Sequence, residues 1–269
     1  MPTIAHISDL HFGRDQPDVT KGLLEDLHAL QPNLVVASGD FTQRARRAQF
    51  AAARDFMAKL PFPQLSVPGN HDIPLYDVIR RIFWPLHRYK KYICKDLAPV
   101  YQDESFVVMG VNTTRPSKWK DGRISLEEMN RIKSLFCGLP HALFKVLVTH
   151  HPFVPPPDDP NADLVDRGPQ AMDVLDTCGA DLLLAGHLHR HYHADARTHH
   201  VRIRRTILVA QAGTAISTRR RAGEPNAYNL ITLIPPQVEI QIRTWSGHRF
   251  EPFTTARYVK VENHWVKKE

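Results

Sequence analysis

The sequence has few cysteines and no long apolar run. Its 269 residues contain three cysteines, Cys94, Cys137 and Cys178, which lie far apart. An odd number of widely spaced cysteines is not the pattern of a disulfide framework or a zinc knuckle, so we expect reduced thiols in a core. No stretch approaches the roughly 20 apolar residues that a membrane-spanning helix needs.

Three further patterns are missing. The N-terminus lacks the basic and then apolar order of a signal peptide, because the apolar run 4–7 is short and Asp9 interrupts it. There is no Walker-type glycine-rich loop, which counts against a P-loop nucleotide site. No repeat or linker-like change of composition divides the chain. We therefore expect one cytoplasmic domain, 1–269.

The charge is biased towards cations. The formal net charge is +7 at pH 7 and the isoelectric point is about 9.4. This charge favours anions in general, which include nucleotides, nucleic acid and an anionic membrane face. It does not choose among them.

The first seventy residues alternate between apolar runs and amphipathic helical patterns. The runs 4–7, 34–37 and 64–67 predict buried strands, and the stripes between them predict helices over 18–30 and 43–60. This alternation is typical of a parallel α/β arrangement with right-handed crossovers.

Later apolar runs predict more strands, and the pair Ser125 and Glu128 predicts a capping box at a helix start. The last three runs alternate between apolar and polar residues, so we expect them to form a second, antiparallel sheet that packs on the first. The runs lie at 105–111, 143–148, 181–185, 204–210, 228–234 and 238–245.

Two segments lie outside the predicted alternation of strands and helices. The segment 73–99 interleaves aromatic and aliphatic residues with basic ones, and Pro85 should kink or split it. It reads as an ordinary amphipathic helix pair packed on a sheet, as a lid or substrate-side wall whose basic residues meet an anion, or as a membrane-facing element. The final segment, 258–269, is predicted to be a basic tail.

Side chains of the types that bind metals follow five predicted strands. Residues i and i+2 of an extended strand point the same way, so Asp9 and His11 are predicted to leave their strand side by side. Open α/β sheets place ligand sites at the C-terminal ends of their strands, which brings such side chains together. The side chains are Asp9 with His11, Asp40, Asn70 with His71, His150, and His187 with His189.

The motifs Asp-x-His, Gly-Asp, Gly-Asn-His-Asp, His-His-Pro and Gly-His-x-His occur in this order between residues 9 and 189. In this combination the sequence resembles the calcineurin-like metallophosphoesterase superfamily. Its opening Ile-Ser-Asp-Leu-His-Phe and its length are most similar to the bacterial class III cyclic-nucleotide phosphodiesterases. The resemblance implies a four-layer αββα sandwich of two mixed sheets flanked by helices, with the metal site at the C-terminal strand ends.

The resemblance also implies two metal ions, of Mn, Fe, Zn or Co, and a role for each motif residue. The first ion would be held by Asp9, His11 and His189, and the second by Asn70, His150 and His187, with Asp40 bridging both. His150 is preferred over His151 because the first histidine of the His-His-Pro motif is the family ligand.

The remaining site residues are assigned by the same resemblance or by position. His71 would be the catalytic group near the leaving oxygen, with Asp72 beside it as a second catalytic residue. Arg14 follows the first motif and is a candidate contact for a substrate phosphate, with an exposed loop charge as the alternative. The runs 44–47 and 219–221, which are rich in arginine, are expected to be solvated faces.

The implied function is a dinuclear metal-dependent phosphodiesterase acting on a small nucleotide-type substrate, such as a cyclic nucleotide. A bridging carboxylate and several imidazoles suit borderline metals, and a water acidified by two cations is a nucleophile for phosphorus. Neither Ser8 nor Ser38 has the sequence context of a nucleophile, so no covalent phospho-enzyme is expected.

Three alternatives stay open. One is a peripheral-membrane hydrolase of a lipid-linked pyrophosphate, similar to UDP-diacylglucosamine hydrolases, which the segment 73–99 and the basic tail motivate through transient membrane-surface contact. A nuclease is suggested by the isoelectric point, but the length leaves little room for an added nucleic-acid module, so we do not expect a nucleic-acid partner. An inactive scaffold should have broken motifs, and none is broken. The sequence does not indicate the oligomeric state.

Overall fold

The residues that the structure describes form two β-sheets and six α-helices. The computed structural model describes residues 1–60, 62–200, 202–262 and 264–268. The strands are β1 Thr3–Ile7, β2 Leu34–Ala37, β3 Gln64–Ser66, β4 Val100–Gln102, β5 Phe106–Gly110, β6 Phe144–Val148, β7 Leu182–Ala185, β8 Tyr192–Asp195, β9 Leu208–Gln211, β10 Ala227–Ile234, β11 Gln237–Trp245, β12 Phe250–Val261 and β13 His264–Lys268. The helices are α1 Pro17–Leu30, α2 Arg47–Met57, α3 Val78–Phe83, α4 His87–Tyr92, α5 Leu126–Cys137 and α6 Gly168–Cys178.

Both sheets contain parallel and antiparallel neighbours. The seven-stranded sheet has the order β13-β12-β11-β10-β1-β2-β3, with β1, β2 and β3 parallel and β10 antiparallel to β1. The six-stranded sheet has the order β4-β5-β6-β7-β9-β8, with β4 and β8 antiparallel at its edges. The prediction of a separate antiparallel sheet near the C-terminus is therefore wrong, because β10 extends the first sheet and β9 joins the second.

Three apolar layers hold the sheets and helices together. On β2, Leu34 and Val36 pack between the two sheets, whereas Val35 and Ala37 pack on the side of α1 and α2. Both faces of this strand are buried, which explains its continuous apolar run. On the far side, α5 and α6 cover the six-stranded sheet. The predicted four-layer αββα sandwich of two mixed sheets is confirmed.

The predicted helices lie where the structure has helices, and α1 also has nearly its predicted length. Helix α1 spans Pro17–Leu30, close to the predicted 18–30. At the start of α5 the Glu128 amide donates to Ser125 Oγ at 3.1 Å and the Ser125 amide donates to Glu128 Oε2 at 2.7 Å, which confirms the capping box. Helix α2 begins later than predicted, at Arg47, because Ala45 has a left-handed backbone with a φ of 49°.

The predicted basic tail is part of the first sheet. Tyr258 lies in β12 and Trp265 in β13, and both side chains are buried in the layer between the sheets. Side chains of this segment point alternately towards the sheet interior and towards solvent, and its lysines made this alternation hard to recognise in the sequence. Asn263 and Glu269, which the prediction included, lie outside the described residues.

Two of the three cysteines form a disulfide. Cys137 and Cys178 are the last residues of α5 and α6, and their Cα atoms are 4.4 Å apart. The prediction of three reduced thiols is wrong for this pair, because two neighbouring helices bring together residues that lie 41 positions apart. Cys94 is free and half-buried.

The segment 73–99 forms two short helices with different surroundings. Pro85 separates them, as predicted. Helix α4 packs on the first sheet through Leu86 and Tyr89, which are both buried. Helix α3 does not pack in this way, since Ile79 and Phe83 are each 67% exposed. The interpretation as a packed helix pair therefore holds for α4 and is wrong for α3.

None of the helices in the described ranges is both long and apolar enough to cross a membrane.

Candidate metal centre

The seven predicted metal ligands all lie just beyond the C-terminal ends of five strands. Two of these strands belong to the second sheet and three to the first, so the facing edges of both sheets contribute. Asp9 and His11 follow β1, Asp40 follows β2, Asn70 follows β3, His150 follows β6, and His187 and His189 follow β7.

Five of these residues have a left-handed backbone, which disfavours side chains by about 1–2 kcal/mol per residue. The predicted reason for the proximity of Asp9 and His11 is therefore wrong, because β1 ends at Ile7 and both residues lie in turns beyond it. Hydrogen bonds hold these turns: the Asp9 amide donates to the Gly39 carbonyl at 3.1 Å, and the His11 amide donates to the Asp40 carbonyl at 2.9 Å. The φ angles are 54° at Asp9, 46° at His11, 54° at Asp40, 75° at His187 and 57° at His189.

Two motif glycines allow the strand ends to approach each other. A Cβ atom on Gly69 would collide with the Asp40 carboxylate, and one on Gly186 would collide with Ser8 Oγ. These glycines are the first residues of the Gly-Asn-His-Asp and Gly-His-x-His motifs, so both motifs combine a close backbone approach with a ligand.

The first cluster consists of Asp9, His11, Asp40 and His189, whose ligand atoms all lie within 4.8 Å of one another. His11 Nε2 is 3.6 Å from Asp9 Oδ1 and 3.6 Å from Asp40 Oδ2, and His189 Nε2 is 3.6 Å from Asp9 Oδ1. These separations exceed hydrogen-bond lengths. The four side chains therefore face a shared space instead of bonding to each other.

The donor atoms of this cluster fit a cation. Asp9 Oδ1 and both ring nitrogens of His11 are buried and have no hydrogen-bond partner in the part of the chain that the structure describes. Leaving a buried polar atom unpaired costs about 1–3 kcal/mol. A divalent metal in the shared space accounts for Asp9 Oδ1 and for His11 Nε2, the His11 nitrogen that faces the cluster, since carboxylate oxygens and imidazole nitrogens are its common ligands.

The second cluster consists of Asn70, His150 and His187. Asn70 Oδ1 is 3.1 Å from His150 Nε2 and 3.1 Å from His187 Nδ1. His150 Nε2 is also 3.4 Å from Asp40 Oδ1. The Asp40 carboxylate therefore stands between the clusters, with Oδ1 towards the second and Oδ2 towards the first.

Neighbouring groups orient two of the histidines. His150 Nδ1 donates to the Ser38 carbonyl at 2.7 Å. His189 Nδ1 donates to Thr214 Oγ1 at 2.7 Å, and this hydroxyl donates to the Arg219 carbonyl at 2.9 Å. In the neutral form of both rings the proton is therefore on Nδ1, and Nε2 is the nitrogen that faces the cluster and can bind a metal.

His151 lies beside the second cluster but has partners at both ring nitrogens. Its Nε2 donates to the Lys120 carbonyl at 2.9 Å, and its Nδ1 is 2.8 Å from Thr113 Oγ1. The ring therefore ties the loop at Lys120 to the strand end, which supports the choice of His150 as the ligand.

His71 lies at the edge of the first cluster, with its ring centroid 5.0 Å from that of His11. Its amide donates to Asp40 Oδ1 at 2.8 Å, and its Nδ1 is 2.9 Å from the Gln43 carbonyl. Burial lowers the pKa of His71 to about 4, although the Asp40 carboxylate opposes this shift. The ring is therefore neutral at pH 7.

Asp72 does not face the clusters. Its carboxylate accepts hydrogen bonds from the amides of Gly69 at 2.9 Å, Phe41 at 3.2 Å and Thr42 at 3.0 Å, and from Thr42 Oγ1 at 3.1 Å. These contacts hold the turn after β2 against the turn after β3. The geometry does not support the interpretation of Asp72 as a catalytic group, and it makes Asp72 a positioning residue for Asp40 and Asn70.

A cavity of about 300 Å³ opens over both clusters and changes the assignment of the arginines. Arg14 is exposed and is absent from the lining of this cavity. The run 219–221, expected to be a solvated face, lines it instead, and Arg44 Nη1 lies 3.2 Å from His71 Nδ1. Neither the run 219–221 nor Arg44 was predicted to belong to the site. The lining consists of Asp40, Asn70, His71, Lys120, His187, His189, Arg219, Arg220 and Arg221.

Comparison with known proteins gives a family model described as calcineurin-like phosphoesterase, which matches residues 2–191. A glycerophosphodiester phosphodiesterase of Enterobacter lignolyticus is 36% identical over 80 residues, which are 26% of this chain and 29% of that protein's length. A probable cyclic nucleotide phosphodiesterase of Synechococcus is 22% identical over 200 residues, or 70% of this chain and 73% of that protein.

Two solved structures share the fold. A dimetal phosphatase from Danio rerio superposes with a TM-score of 0.66 at 13% identity, covering 94% of this chain and 98% of that one. A purple acid phosphatase from yellow lupin superposes with a TM-score of 0.68 at 10% identity, covering 94% of this chain and 53% of that one. At these identities the likeness is evidence for the fold alone.

Proposed function

This chain belongs to the calcineurin-like phosphoesterase family, and on that premise we propose that it is a dinuclear metal-dependent phosphodiesterase of a small nucleotide-type substrate. The family and the two ligand clusters indicate divalent metal ions. The observation that carries the proposal is the position of Asp40, whose two carboxylate oxygens face different clusters. The phosphodiesterase names of the two relatives support the diester specificity.

We assign the ligands as the motifs imply. Asp9, His11 and His189 would hold one ion and Asn70, His150 and His187 the other, with Asp40 placed to serve both. When bound, two cations supply an acidified water as the nucleophile and offset the charge that builds up on the phosphoryl oxygens. Metal analysis of the purified protein decides which of Mn, Fe, Zn and Co the ions are.

His71 is the proposed proton donor to the leaving oxygen. Its Nδ1 side is held by the Gln43 carbonyl and by Arg44, and within the described residues its Nε2 has no protein partner. Because the Gln43 carbonyl can only accept, the neutral ring carries its proton on Nδ1, and Nε2 donates across the cavity once it has taken up a second proton. The ring itself lines that cavity.

A substrate panel on Mn-loaded protein tests this function. It contains bis-p-nitrophenyl phosphate, 3′,5′-cyclic nucleotides, a nucleotide pyrophosphate, a glycerophosphodiester, a UDP-lipid and a single-stranded oligonucleotide. We expect turnover of small diesters, with an Asp40→Asn preparation as the control for contaminating activity. If no small diester is hydrolysed above that control, the proposal is lost. The oligonucleotide tests the nuclease alternative. No Phe, Tyr or Trp is among the described residues that line the cavity, so histidine rings are its only aromatic surfaces for base stacking.

A specific observation favours the lipid-linked pyrophosphate as a second candidate. Seven large apolar side chains, here called the apolar face, are exposed around α3 and the neighbouring loop. Arg81 joins the two segments, since its guanidinium lies 4.6 Å from the Trp119 ring centroid and donates to the Pro116 carbonyl at 2.8 Å. The apolar face consists of Tyr76, Val78, Ile79, Ile82, Phe83, Trp84 and Trp119, which are 55–78% exposed.

The surroundings of the apolar face support a lipid partner. Residues 78–95 contain six lysines and arginines and no carboxylate, a composition that suits an anionic lipid surface. Trp119 precedes Lys120, which lines the cavity. A substrate held at a membrane could therefore reach the clusters from this side.

Co-sedimentation with vesicles separates the two candidates. The lipid candidate predicts that the protein binds phosphatidylglycerol vesicles at physiological salt and that Ile79→Gln weakens this binding. The matched control is Val266→Gln, because Val266 is 49% exposed on β13, at the opposite edge of the first sheet from β3, the strand that α3 follows. Absence of vesicle binding, or equal loss in both variants, counts against the lipid candidate and leaves the small-nucleotide proposal intact.

A further inference from the structure

Three consecutive arginines, Arg219, Arg220 and Arg221, form a wall of the cavity that holds the metal ligands. Resting on the proposed function, we infer that this wall, here called the basic loop, is a subsite for a second phosphate of the substrate. The reacting phosphate belongs at the clusters, and the second phosphate is a separate group of the same nucleotide.

The basic loop is held in place by contacts on both sides. At its start the Thr218 amide donates to the Arg14 carbonyl at 2.9 Å. The Arg219 carbonyl accepts from Thr214 Oγ1 at 2.9 Å, and Arg221 Nε lies 3.3 Å from the Leu188 carbonyl. These contacts hold the loop beside His189, while its three arginine side chains stay exposed to solvent at the cavity wall.

The contact through Thr214 ties the basic loop to a metal ligand. The same hydroxyl accepts from His189 Nδ1 at 2.7 Å. The wall and the first cluster therefore share one hydrogen-bonded chain, from His189 through Thr214 to Arg219. A group bound at the wall is placed at a fixed distance from the clusters.

The charge of the basic loop is not compensated by the protein. No carboxylate of the described ranges 1–60, 62–200, 202–262 and 264–268 forms an ion pair with its arginines. Arg220 Nη1 donates to the Glu224 main-chain carbonyl at 3.2 Å, whereas the Glu224 carboxylate contacts His191 at 3.0 Å. Lys120, the other cation of the cavity, pairs with Asp163. Five other arginines of the same part of the chain do have carboxylate partners at 2.6–2.7 Å: Arg190, Arg197, Arg243, Arg249 and Arg257.

Unpaired guanidinium groups beside a substrate cavity favour an anion with several oxygen acceptors, which a phosphate provides. A phosphodiester carries one negative charge, and the two cations and the imidazoles surround it. A 3′,5′-cyclic nucleotide would therefore leave the basic loop without a partner. A nucleotide ester with an additional terminal phosphate satisfies both parts of the cavity.

Two chromogenic esters test the inference, since they share a scissile bond and a leaving group. Thymidine 5′-(p-nitrophenyl phosphate) has one phosphate, and its 3′-phosphorylated form has two. For metal-loaded wild-type protein we expect kcat/KM to be about tenfold higher for the second ester. The combined variant Arg220→Gln/Arg221→Gln should reduce this ratio to near one. Arg131→Gln, which removes an exposed charge on α5, should keep the wild-type ratio.

The outcomes separate this inference from the proposed function. A ratio that stays at the wild-type value in the double variant overturns the subsite, as does a wild-type ratio of one. If neither ester is turned over, the panel of small diesters still decides the proposed function, and binding decides the subsite. Calorimetric titration with thymidine 3′,5′-bisphosphate and thymidine 5′-monophosphate should then show the same preference and its loss in the double variant, and equal affinities overturn it.

Discussion

The floor and the rim of the cavity are built in opposite ways. The floor consists of the seven ligands at the ends of short buried strands, and Asp9, His11 and His150 are fully buried. The rim consists of the basic loop, Lys120 and the nearby apolar face, which are exposed. On the floor, left-handed turns and unpaired buried atoms store unfavourable energy that a bound cation can offset. On the rim, the uncompensated groups are solvated and cost little.

Because of this difference, we expect the floor to determine the reaction and the rim to determine which substrate is used. The floor contains the groups that a phosphoester hydrolysis requires, and it tolerates little change because each ligand is surrounded by packed backbone. The rim can change without disturbing the sheets, because it stands on loops and one short helix. We therefore expect substitutions on the floor to reduce all activity, and substitutions on the rim to redistribute activity among substrates.

The strongest test of the floor is Asp40→Ala. Because both Asp40 oxygens face clusters, its loss should remove at least one bound metal ion per chain and reduce kcat by about 1,000-fold. Metal content by plasma mass spectrometry and turnover of bis-p-nitrophenyl phosphate measure these two effects. Asp55→Ala, on the exposed side of α2, is the control. Wild-type turnover by a folded Asp40→Ala protein would refute the shared-carboxylate assignment.

Much of the floor follows from the sequence. The apolar runs locate the strands, and ligand-type residues directly after them locate the site, because parallel strand ends meet at one edge. The local geometry was not predictable in the same way. Asp9 and His11 meet through left-handed turns that depend on contacts with the Gly39 and Asp40 carbonyls, from another strand.

The prediction for the run 219–221 on the rim was wrong for a physical reason. The run 219–221 has the composition of a solvated face, and its place in the cavity depends on Thr214 and Leu188, which no local pattern connects to it. Helix α3 shows the converse error, since its apolar residues predict a buried stripe but Ile79 is 67% exposed. Periodicity identifies the face of a helix and not whether a partner is present.

Thr214→Val tests the connection between the floor and the rim. The substitution removes the acceptor of His189 Nδ1 and the donor to the Arg219 carbonyl. Loss of such an outer hydrogen bond typically weakens metal affinity by about 10–100-fold. Competition titration with a metal indicator measures the affinity, and Thr198→Val, at an exposed position, is the control. Unchanged affinity would show that the floor is independent of the rim.

The pH dependence of metal binding probes the floor without mutation. Burial lowers the pKa of His150, but the Asp40 carboxylate outweighs burial and raises that pKa to about 9. The metal-free ring is therefore protonated at pH 7, and its Nε2 must lose a proton before it can bind a cation. Apparent Mn affinity should rise about tenfold per pH unit from 7 towards 9 and then level off. Calorimetric titrations at several pH values, in buffers matched for ionic strength, measure this slope, and a flat profile below pH 9 would contradict it.

We expect Arg14→Gln to have the smallest effect of these substitutions. It tests whether a residue that is next to the first motif in the sequence also contributes to the cavity. Arg14 follows the first motif directly, yet its side chain is exposed and only its carbonyl contacts the basic loop, through the Thr218 amide at 2.9 Å. That contact survives the substitution. We expect kcat/KM for both thymidine esters to change by less than about twofold, as for a solvated surface charge, whereas Arg219→Gln should lower both because its guanidinium lies 3.4 Å from His71 Nδ1. A larger loss in Arg14→Gln, confined to the ester with the 3′-phosphate, would extend the anion subsite beyond the cavity wall to the turn after β1.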